Sequence, residues 1–278
     1  MSALPFRIVN VFAETPLGGN PLAVFEDGTG LDDATMQALA LQFNLSETTF
    51  VLPSTVASAR VRIFTPTFEM PFAGHPTLGT AHVVRELRAT GDRVTLEMRA
   101  GVIPVAARGD VWTLTANAPR HRAPSTSRAD LARMLGVTVD DLAGDPLWVD
   151  TGTEQLIVPL ASTDAVRGAA PSAEVMLAHA SNGERAMAYV FARNRDDVLA
   201  RFFFLKHGAV VEDPGTGSAC ANLGGWLVAT RAKLPVELRV DQGEAVARRC
   251  HLTLRVSAEG TIEVSGRVVE IGRGTITL

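Results

Sequence analysis

Two stretches of the chain share the pattern proline, two residues, glycine, a hydroxyl residue and alanine: Pro76-Thr77-Leu78-Gly79-Thr80-Ala81 and Pro214-Gly215-Thr216-Gly217-Ser218-Ala219. They lie 138 residues apart, almost half of the 278-residue chain. Each follows a strand-like segment that opens with arginine, at Arg62-Ile63-Phe64 and Arg201-Phe202-Phe203. Because a repeat of half the chain length indicates a duplicated unit, this pattern predicts two similar halves, each with a helix that begins at its proline.

Apolar periodicity places further helices and strands around the two stretches. Helices are predicted from Asp32 or Asp33 to near Asn44, from Pro76 to about Leu87, after a cap at Ser127, and from about Pro214 to Thr230. Strands are predicted at residues 6–12, 22–25, 48–52, 59–64, 156–160, 186–191, 200–204, 252–256, 261–264 and 274–278. Mixed sheets around a few helices make an α+β fold the expected class.

The composition excludes several classes of protein. With 46% hydrophobic and 20% charged residues, the chain is a compact globular protein rather than a disordered one. Its net charge is −4 and it has no basic stripe, so we expect no nucleic-acid partner. Neither Cys220 nor Cys250 has metal-ligand spacing, which argues against a structural zinc site. Without a signal segment or a run of 18 apolar residues, we expect no membrane partner and a cytoplasmic location.

The two predicted helix starts suggest how the protein could bind an anion. A helix start presents backbone N–H groups and the positive end of the helix dipole, so two such starts could hold a small carboxylate from both sides. The alternative is that Gly79 and Gly217 only let central helices pack closely. His75 and Asp213 precede the two prolines. An unperturbed histidine titrates near neutrality and an aspartate accepts hydrogen bonds, although either residue could alternatively be only a helix cap.

Two further observations bear on the chemistry. A racemase with two opposed thiols is disfavoured, because His75 and Asp213 occupy the comparable positions and Cys220 falls inside the predicted helix. Glu47 lies between a predicted helix end and a strand, where it is either a polar turn residue or a general acid–base. In the second case, apolar surroundings would raise its pKa from about 4.3 toward neutrality.

Five segments in order resemble the phenazine-biosynthesis PhzF family: GNPLAVF at 19–25, NLSETTFV at 44–51, RIFTP at 62–66, EMPFAGHPTLGTA at 69–81 and EDPGTGSA at 212–219. The closing segment GRGTI at 272–276 resembles it as well. The resemblance implies a diaminopimelate-epimerase-like fold, in which each of two similar domains is a curled, barrel-like mixed sheet around a central helix. The expected domains are residues 1–117, to which strand 266–278 returns, and residues 118–265.

The resemblance also implies an isomerase that needs neither metal nor cofactor and has its active site in the cleft between the domains. Glu47 matches the family's proton-shuttling carboxylate. The positions that match the substrate site are Ser46, Gly74, His75, Asp213, Gly217 and Ser218. In the family's best-understood reaction, trans-2,3-dihydro-3-hydroxyanthranilate loses a proton from C3 and gains one at C1. Such members are typically homodimers. Two other functions stay open: an amino-acid epimerase or racemase, and a non-catalytic binding protein on the same fold.

Overall fold

The structure is a computed structural model that describes residues 3–278. Its strands, in chain order, are β1 (Ala3–Val11), β2 (Asn20–Phe25), β3 (Glu47–Leu52), β4 (Ala59–Phe64), β5 (Glu69–Met70), β6 (Arg93–Met98), β7 (Gly101–Arg108), β8 (Val111–Thr115), β9 (Arg120–Arg122), β10 (Leu147–Asp150), β11 (Glu154–Pro159), β12 (Met187–Asn194), β13 (Asp197–Lys206), β14 (Ala209–Asp213), β15 (Val236–Gln242), β16 (Cys250–Val256) and β17 (Ile262–Thr277).

The helices are α1 (Asp33–Phe43), α2 (Gly74–Arg88), α3 (Arg128–Leu135), α4 (Thr163–Gly168), α5 (Ala173–His179) and α6 (Gly217–Ala229), with a 3₁₀ turn at Val139–Asp141. Capping explains two of their starts, because the side chains of Asp32 and Ser127 accept hydrogen bonds from the backbone of the first turns of α1 and α3. Helix α1 ends at Asn44, which adopts a left-handed conformation with φ 50°. These caps confirm the predicted helix at 33–43 and the short helix after Ser127.

The chain divides into two compact units. One unit runs to Thr115 and includes Ser265–Leu278, and the other is Ala116–Val264. Among the described residues, no helix has the length and apolar character needed to span a bilayer.

In the first unit, a ring of strands closes around one helix. Among the described residues the ring has eight members, which pair in the order β17, β1, β2, β3, β4, β6, β7, β8 and back to β17. Helix α2 contacts strands on all sides of this ring, and its residues from Gly74 to Ala81 are buried. The first unit is therefore a closed barrel with α2 as its central helix.

Close packing of α2 requires glycine at position 79. A Cβ atom added to Gly79 would lie 2.7 Å from Leu22 Cδ2 and 2.9 Å from Val11 Cγ2, nearer than real Cβ atoms approach. Both neighbours belong to the barrel wall, on β2 and β1, and both are fully buried. Gly79 is therefore needed for the close packing of the central helix against the barrel wall.

The second unit repeats the pairing pattern of the first. Strand β10 pairs antiparallel with β11, which pairs parallel with β12; β12 pairs antiparallel with β13, which pairs parallel with β15. In the first unit β1, β2, β3, β4 and β6 follow the same alternation. Helix α6 takes the place of α2 and contacts β9, β10, β11 and β16. The predicted α+β fold with two pseudo-symmetric halves, each a curled sheet around a central helix, is confirmed.

The same kind of salt bridge occurs at the equivalent place in each unit. Arg62 on β4 makes a two-pronged ion pair with Glu69 on β5, both distances 2.8 Å, and its guanidinium lies 5.0 Å from the ring centre of Phe64. Arg201 on β13 does the same with Glu212 on β14, the shortest distance being 2.7 Å. Because bidentate Arg–carboxylate pairs fix geometry, each pair holds the hairpin that leads to a central helix.

The two central helices do not begin at their prolines, which corrects the prediction. Helix α2 begins at Gly74, so Pro76 is its third residue; the missing N–H does no harm there, because the first four N–H groups of a helix have no partner within it. Helix α6 begins only at Gly217, three residues after Pro214. The segments predicted as two strands at 261–264 and 274–278 are joined in the single strand β17.

Candidate functional site

Glu47 is the first residue of β3, at the point where the chain leaves α1. The left-handed Asn44 ends α1 and turns the chain, so that Leu45 and Ser46 connect it directly to the strand. Strand β3 runs parallel to β2, with Glu47 opposite Leu22, and the two following threonines are fully buried. The Glu47 side chain is 16% exposed. The side chain is thus mostly buried while part of it stays accessible.

His75 places an imidazole beside this carboxylate. It is the second residue of α2, and its side chain is 5% exposed. Its Nδ1 lies 3.5 Å from Glu47 Oε2 and 3.4 Å from Asn20 Nδ2. The first unit therefore brings Glu47 and His75 together, with Ser46 and Gly74 as their chain neighbours.

Burial decides the charge of His75. Desolvation lowers the pKa of its imidazole from 6.5 to about 3. Titration near neutrality holds for an unperturbed, solvated histidine, and burial removes that condition for His75. At neutral pH the ring that contacts Glu47 is therefore neutral.

Neither His75 nor Asp213 caps a central helix. The N-cap of α2 is Ala73 and that of α6 is Thr216, and neither makes a side-chain capping hydrogen bond. His75 lies inside the first turn of α2, whereas Asp213 is the last residue of β14. The interpretation of these two residues as helix caps is thus excluded.

In the second unit, Gln242 holds the segment that carries Asp213. The Thr216 hydroxyl donates to Asp213 Oδ2. Gln242, almost fully buried at the end of β15, donates from Nε2 to Asp213 O at 2.8 Å and to Thr216 Oγ1 at 3.0 Å, and its Oε1 accepts from Thr216 N at 3.3 Å. One buried amide therefore fixes both the backbone of Asp213 and, through Thr216, its carboxylate.

Removing this amide should destabilise the protein. We expect Gln242→Leu to lower the free energy of unfolding by about 1–3 kcal/mol, because polar groups of the half-buried residues Asp213 and Thr216 lose their partner. Urea denaturation measures this change. Gln37→Leu is the matched control, since half-buried Gln37 makes one 2.8 Å hydrogen bond to Thr65 O. Equal losses in the two variants would contradict the clamping role of Gln242.

Ser218 lies in the first turn of α6 and is half-buried. Its hydroxyl oxygen is 3.0 Å from Nε2 of Gln155, a buried residue of β11. Gln155 Oε1 in turn accepts from Asn222 Nδ2 at 2.8 Å. Gly217, the residue before Ser218, is buried as the first residue of the helix. A network of buried amides thus connects the sheet of the second unit to the predicted site residue.

Sequence reasoning did not predict Asn20, Gln155, Thr216, Asn222 or Gln242 as parts of the site. For Asn20 the sequence offered one signal, its place between Gly19 and Pro21 in the segment GNPLAVF. The structure shows Asn20 fully buried at the start of β2. Within residues 3–278, no three His, Cys, Asp or Glu side chains gather as a metal site would require.

The two cysteines are buried thiols. Cys220 lies inside α6, as predicted, and Cys250 is the first residue of β16. Desolvation raises the pKa of both thiols. Because the thiolate is the reactive form of cysteine, these positions disfavour the two-thiol chemistry of a racemase.

Comparison with known proteins agrees with this architecture. The model of the phenazine biosynthesis-like protein family, PhzC-PhzF, matches residues 9–274. The trans-2,3-dihydro-3-hydroxyanthranilate isomerase of Pseudomonas fluorescens is 35% identical over 98% of this chain and 99% of that protein. An uncharacterized isomerase of Pasteurella multocida is 37% identical over 98% of this chain and 93% of its own.

Solved structures give the same result. The PhzF-family phenazine biosynthesis protein of Bacillus anthracis superposes with a TM-score of 0.90 at 26% identity, covering 100% of both chains. The fold that the motifs implied is thereby confirmed, and the named relatives support an isomerase. This chain belongs to the phenazine biosynthesis-like PhzC-PhzF family.

Proposed function

We propose that this protein is a metal- and cofactor-independent isomerase that moves a proton on a small cyclic carboxylate by general acid–base catalysis. The proposed substrate is trans-2,3-dihydro-3-hydroxyanthranilate or a close relative. One observation carries the proposal: Glu47, whose side chain is partly accessible, has a carboxylate oxygen 3.5 Å from a buried imidazole. The 35% identity to the Pseudomonas fluorescens enzyme supports the choice of substrate.

Glu47 is the proposed catalytic residue. Its carboxylate takes the proton from C3, the electron pair of that C–H bond moves through the conjugated ring, and a proton returns to C1. Because an isomerisation leaves the atoms and electrons of the substrate unchanged, this sequence needs no co-reactant. The neutral His75 ring beside Glu47 does not stabilise the anionic carboxylate as an imidazolium would, which suits a group that must accept a proton.

We propose that the substrate binds in a cleft between the two units, which act as the two domains. Ser46, Gly74 and His75 would line it from the first unit, and Asp213, Gly217 and Ser218 from the second. The starts of α2 and α6 would present backbone N–H groups to the substrate carboxylate. From the family likeness, we further propose that the protein is a cytoplasmic homodimer.

The substrate assignment is tested by NMR. The purified protein, mixed with trans-2,3-dihydro-3-hydroxyanthranilate, should remove the C3 proton signal at a rate that saturates with substrate. Glu237→Gln, which changes an exposed carboxylate paired with Arg255, should act like the unchanged protein. An unaltered substrate, together with deuterium entering Cα of an amino acid in D₂O, would refute the proposal and identify an epimerase instead.

A further inference from the structure

We propose that Gln155 is a positioning residue: by donating to the Ser218 hydroxyl, it directs the proton of that hydroxyl toward the substrate. The group that the Ser218 proton binds is then the substrate carboxylate. The inference deepens the proposed function and rests on it for the identity of the ligand. Its basis is a directional chain of hydrogen bonds that begins at backbone groups of the second unit.

The chain begins at Asn222, whose amide orientation is set by its neighbours. Its Oδ1 lies 2.9 Å from Thr151 N and 2.7 Å from Thr151 Oγ1. A backbone N–H only donates, so the atom facing it must be the amide oxygen. The Nδ2 of Asn222 lies 2.8 Å from Thr153 O, which only accepts. Both ends of the Asn222 amide are therefore assigned by backbone atoms.

This assignment fixes the next amide as well. Asn222 Nδ2 donates, so the atom of Gln155 that lies 2.8 Å away is its oxygen, Oε1. The other end of the same amide, Nε2, then faces Ser218 Oγ at 3.0 Å and donates to it. Both amides are buried, with Asn222 fully buried and Gln155 3% exposed. Reversing either amide would set two donors or two acceptors against each other without water, which is costly.

The polarity of Ser218 follows. A hydroxyl has one proton and two acceptor sites, and Gln155 occupies an acceptor site. The proton of Ser218 is therefore directed away from Gln155, in the first turn of α6. The group that this proton binds must accept a hydrogen bond, as a carboxylate does and an ammonium group does not. Asp213, whose carboxylate accepts, suits the amine or hydroxyl of the substrate.

Two probes isolate the contribution of the carboxylate to binding. They are 3-hydroxyanthranilate and 2-aminophenol, which is the same ring without the carboxylate. Calorimetry should show that the unchanged protein binds 3-hydroxyanthranilate more tightly. Gln155→Met, which keeps the length of the side chain and removes the amide, should weaken that binding about 5- to 20-fold and change the binding of 2-aminophenol less than about twofold. In a Ser218→Ala background, Gln155→Met should change the binding of 3-hydroxyanthranilate less than about twofold.

A second variant inverts the chain rather than breaking it. The carboxylate of Gln155→Glu would accept the Ser218 proton, so we expect binding of 3-hydroxyanthranilate to weaken at least about 10-fold. Thermal unfolding of each variant, with Gln37→Leu as the control for loss of an amide elsewhere, reports folding separately from binding.

The inference is overturned if Gln155→Met weakens both probes equally, if its effect persists without the Ser218 hydroxyl, or if the unchanged protein does not prefer the carboxylate probe. The proposed function has a separate test. If Gln155→Met weakens binding of the carboxylate probe as expected but the unchanged protein does not remove the C3 proton, only the proposed reaction is refuted. If the unchanged protein turns the substrate over but Gln155→Met binds the probe normally, only the positioning role is refuted.

Discussion

Glu47→Gln should lower kcat by about 10²- to 10⁴-fold, the contribution typical of a positioned general acid–base group. Glutamine has nearly the same shape, but its amide cannot take a proton from carbon. KM should change by less than about threefold, because the substrate is held by other groups. Steady-state kinetics with trans-2,3-dihydro-3-hydroxyanthranilate measures both constants.

The matched control is Glu237→Gln, which makes the same chemical change at an exposed residue of β15. Its kcat should stay within about twofold of the unchanged protein. A folded Glu47→Gln variant that binds substrate and keeps normal turnover would remove Glu47 from the mechanism.

His75 should make the stability of the protein depend on pH. The imidazole has a pKa of about 3 in the folded protein and about 6.5 when unfolded, so the unfolded chain binds the additional proton between these values. The free energy of unfolding therefore rises with pH from about 3 to 6.5 and is level above that, as far as His75 is concerned. Its contribution is at most about 1.4 kcal/mol per pH unit.

Urea denaturation at pH 7, 6, 5 and 4 tests this linkage. Relative to His75→Gln, which has no titrating ring, the unchanged protein should lose up to about 3 kcal/mol more between pH 6.5 and pH 4. His121→Gln is the matched control, because His121 is exposed on β9 and remains solvated on folding. Parallel curves for the unchanged protein and His75→Gln would show that His75 is not desolvated.

Local sequence patterns predicted the fold well where the structure depends on local contacts. Helix α1 starts and ends where Asp32 and Asn44 indicated, because both caps act within a few residues. The repeat of the Pro76 and Pro214 segments predicted two similar halves, because both halves must bury a central helix in the same way.

The starts of the central helices depended on distant residues. Residues 213–216 stay outside α6 where Gln242, 26 positions beyond Thr216, bonds to them. Gly243 then brings the next turn so close that a Cβ there would lie 2.5 Å from Pro214 O. No periodicity near Pro214 contains these contacts, so the expectation of a helix starting at that proline was wrong.

In the candidate site, too, the sequence indicated the residues but not the contacts between distant parts of the chain. The motifs that contain Glu47 and His75 identified both residues, but their 3.5 Å contact joins β3 to α2 across 28 positions of the chain. The charge of His75 depends on its desolvation in the folded protein, and the identity of a single residue does not reveal how deeply it will be buried. Gln155 follows Glu154 on β11 and Asn222 lies among apolar residues of α6, and nothing in the sequence distinguishes these two positioning amides from other buried ones.

The fate of a label at C3 tests the role of Glu47 most directly. Substrate deuterated at C3 is bound to the unchanged protein and to Glu47→Gln, and deuterium NMR follows the loss of the label from that carbon. Transfer by Glu47 predicts that the unchanged protein removes the label as product forms, while the variant retains it at least about 100 times longer. Loss of the label at equal rates from both bound complexes would contradict the account.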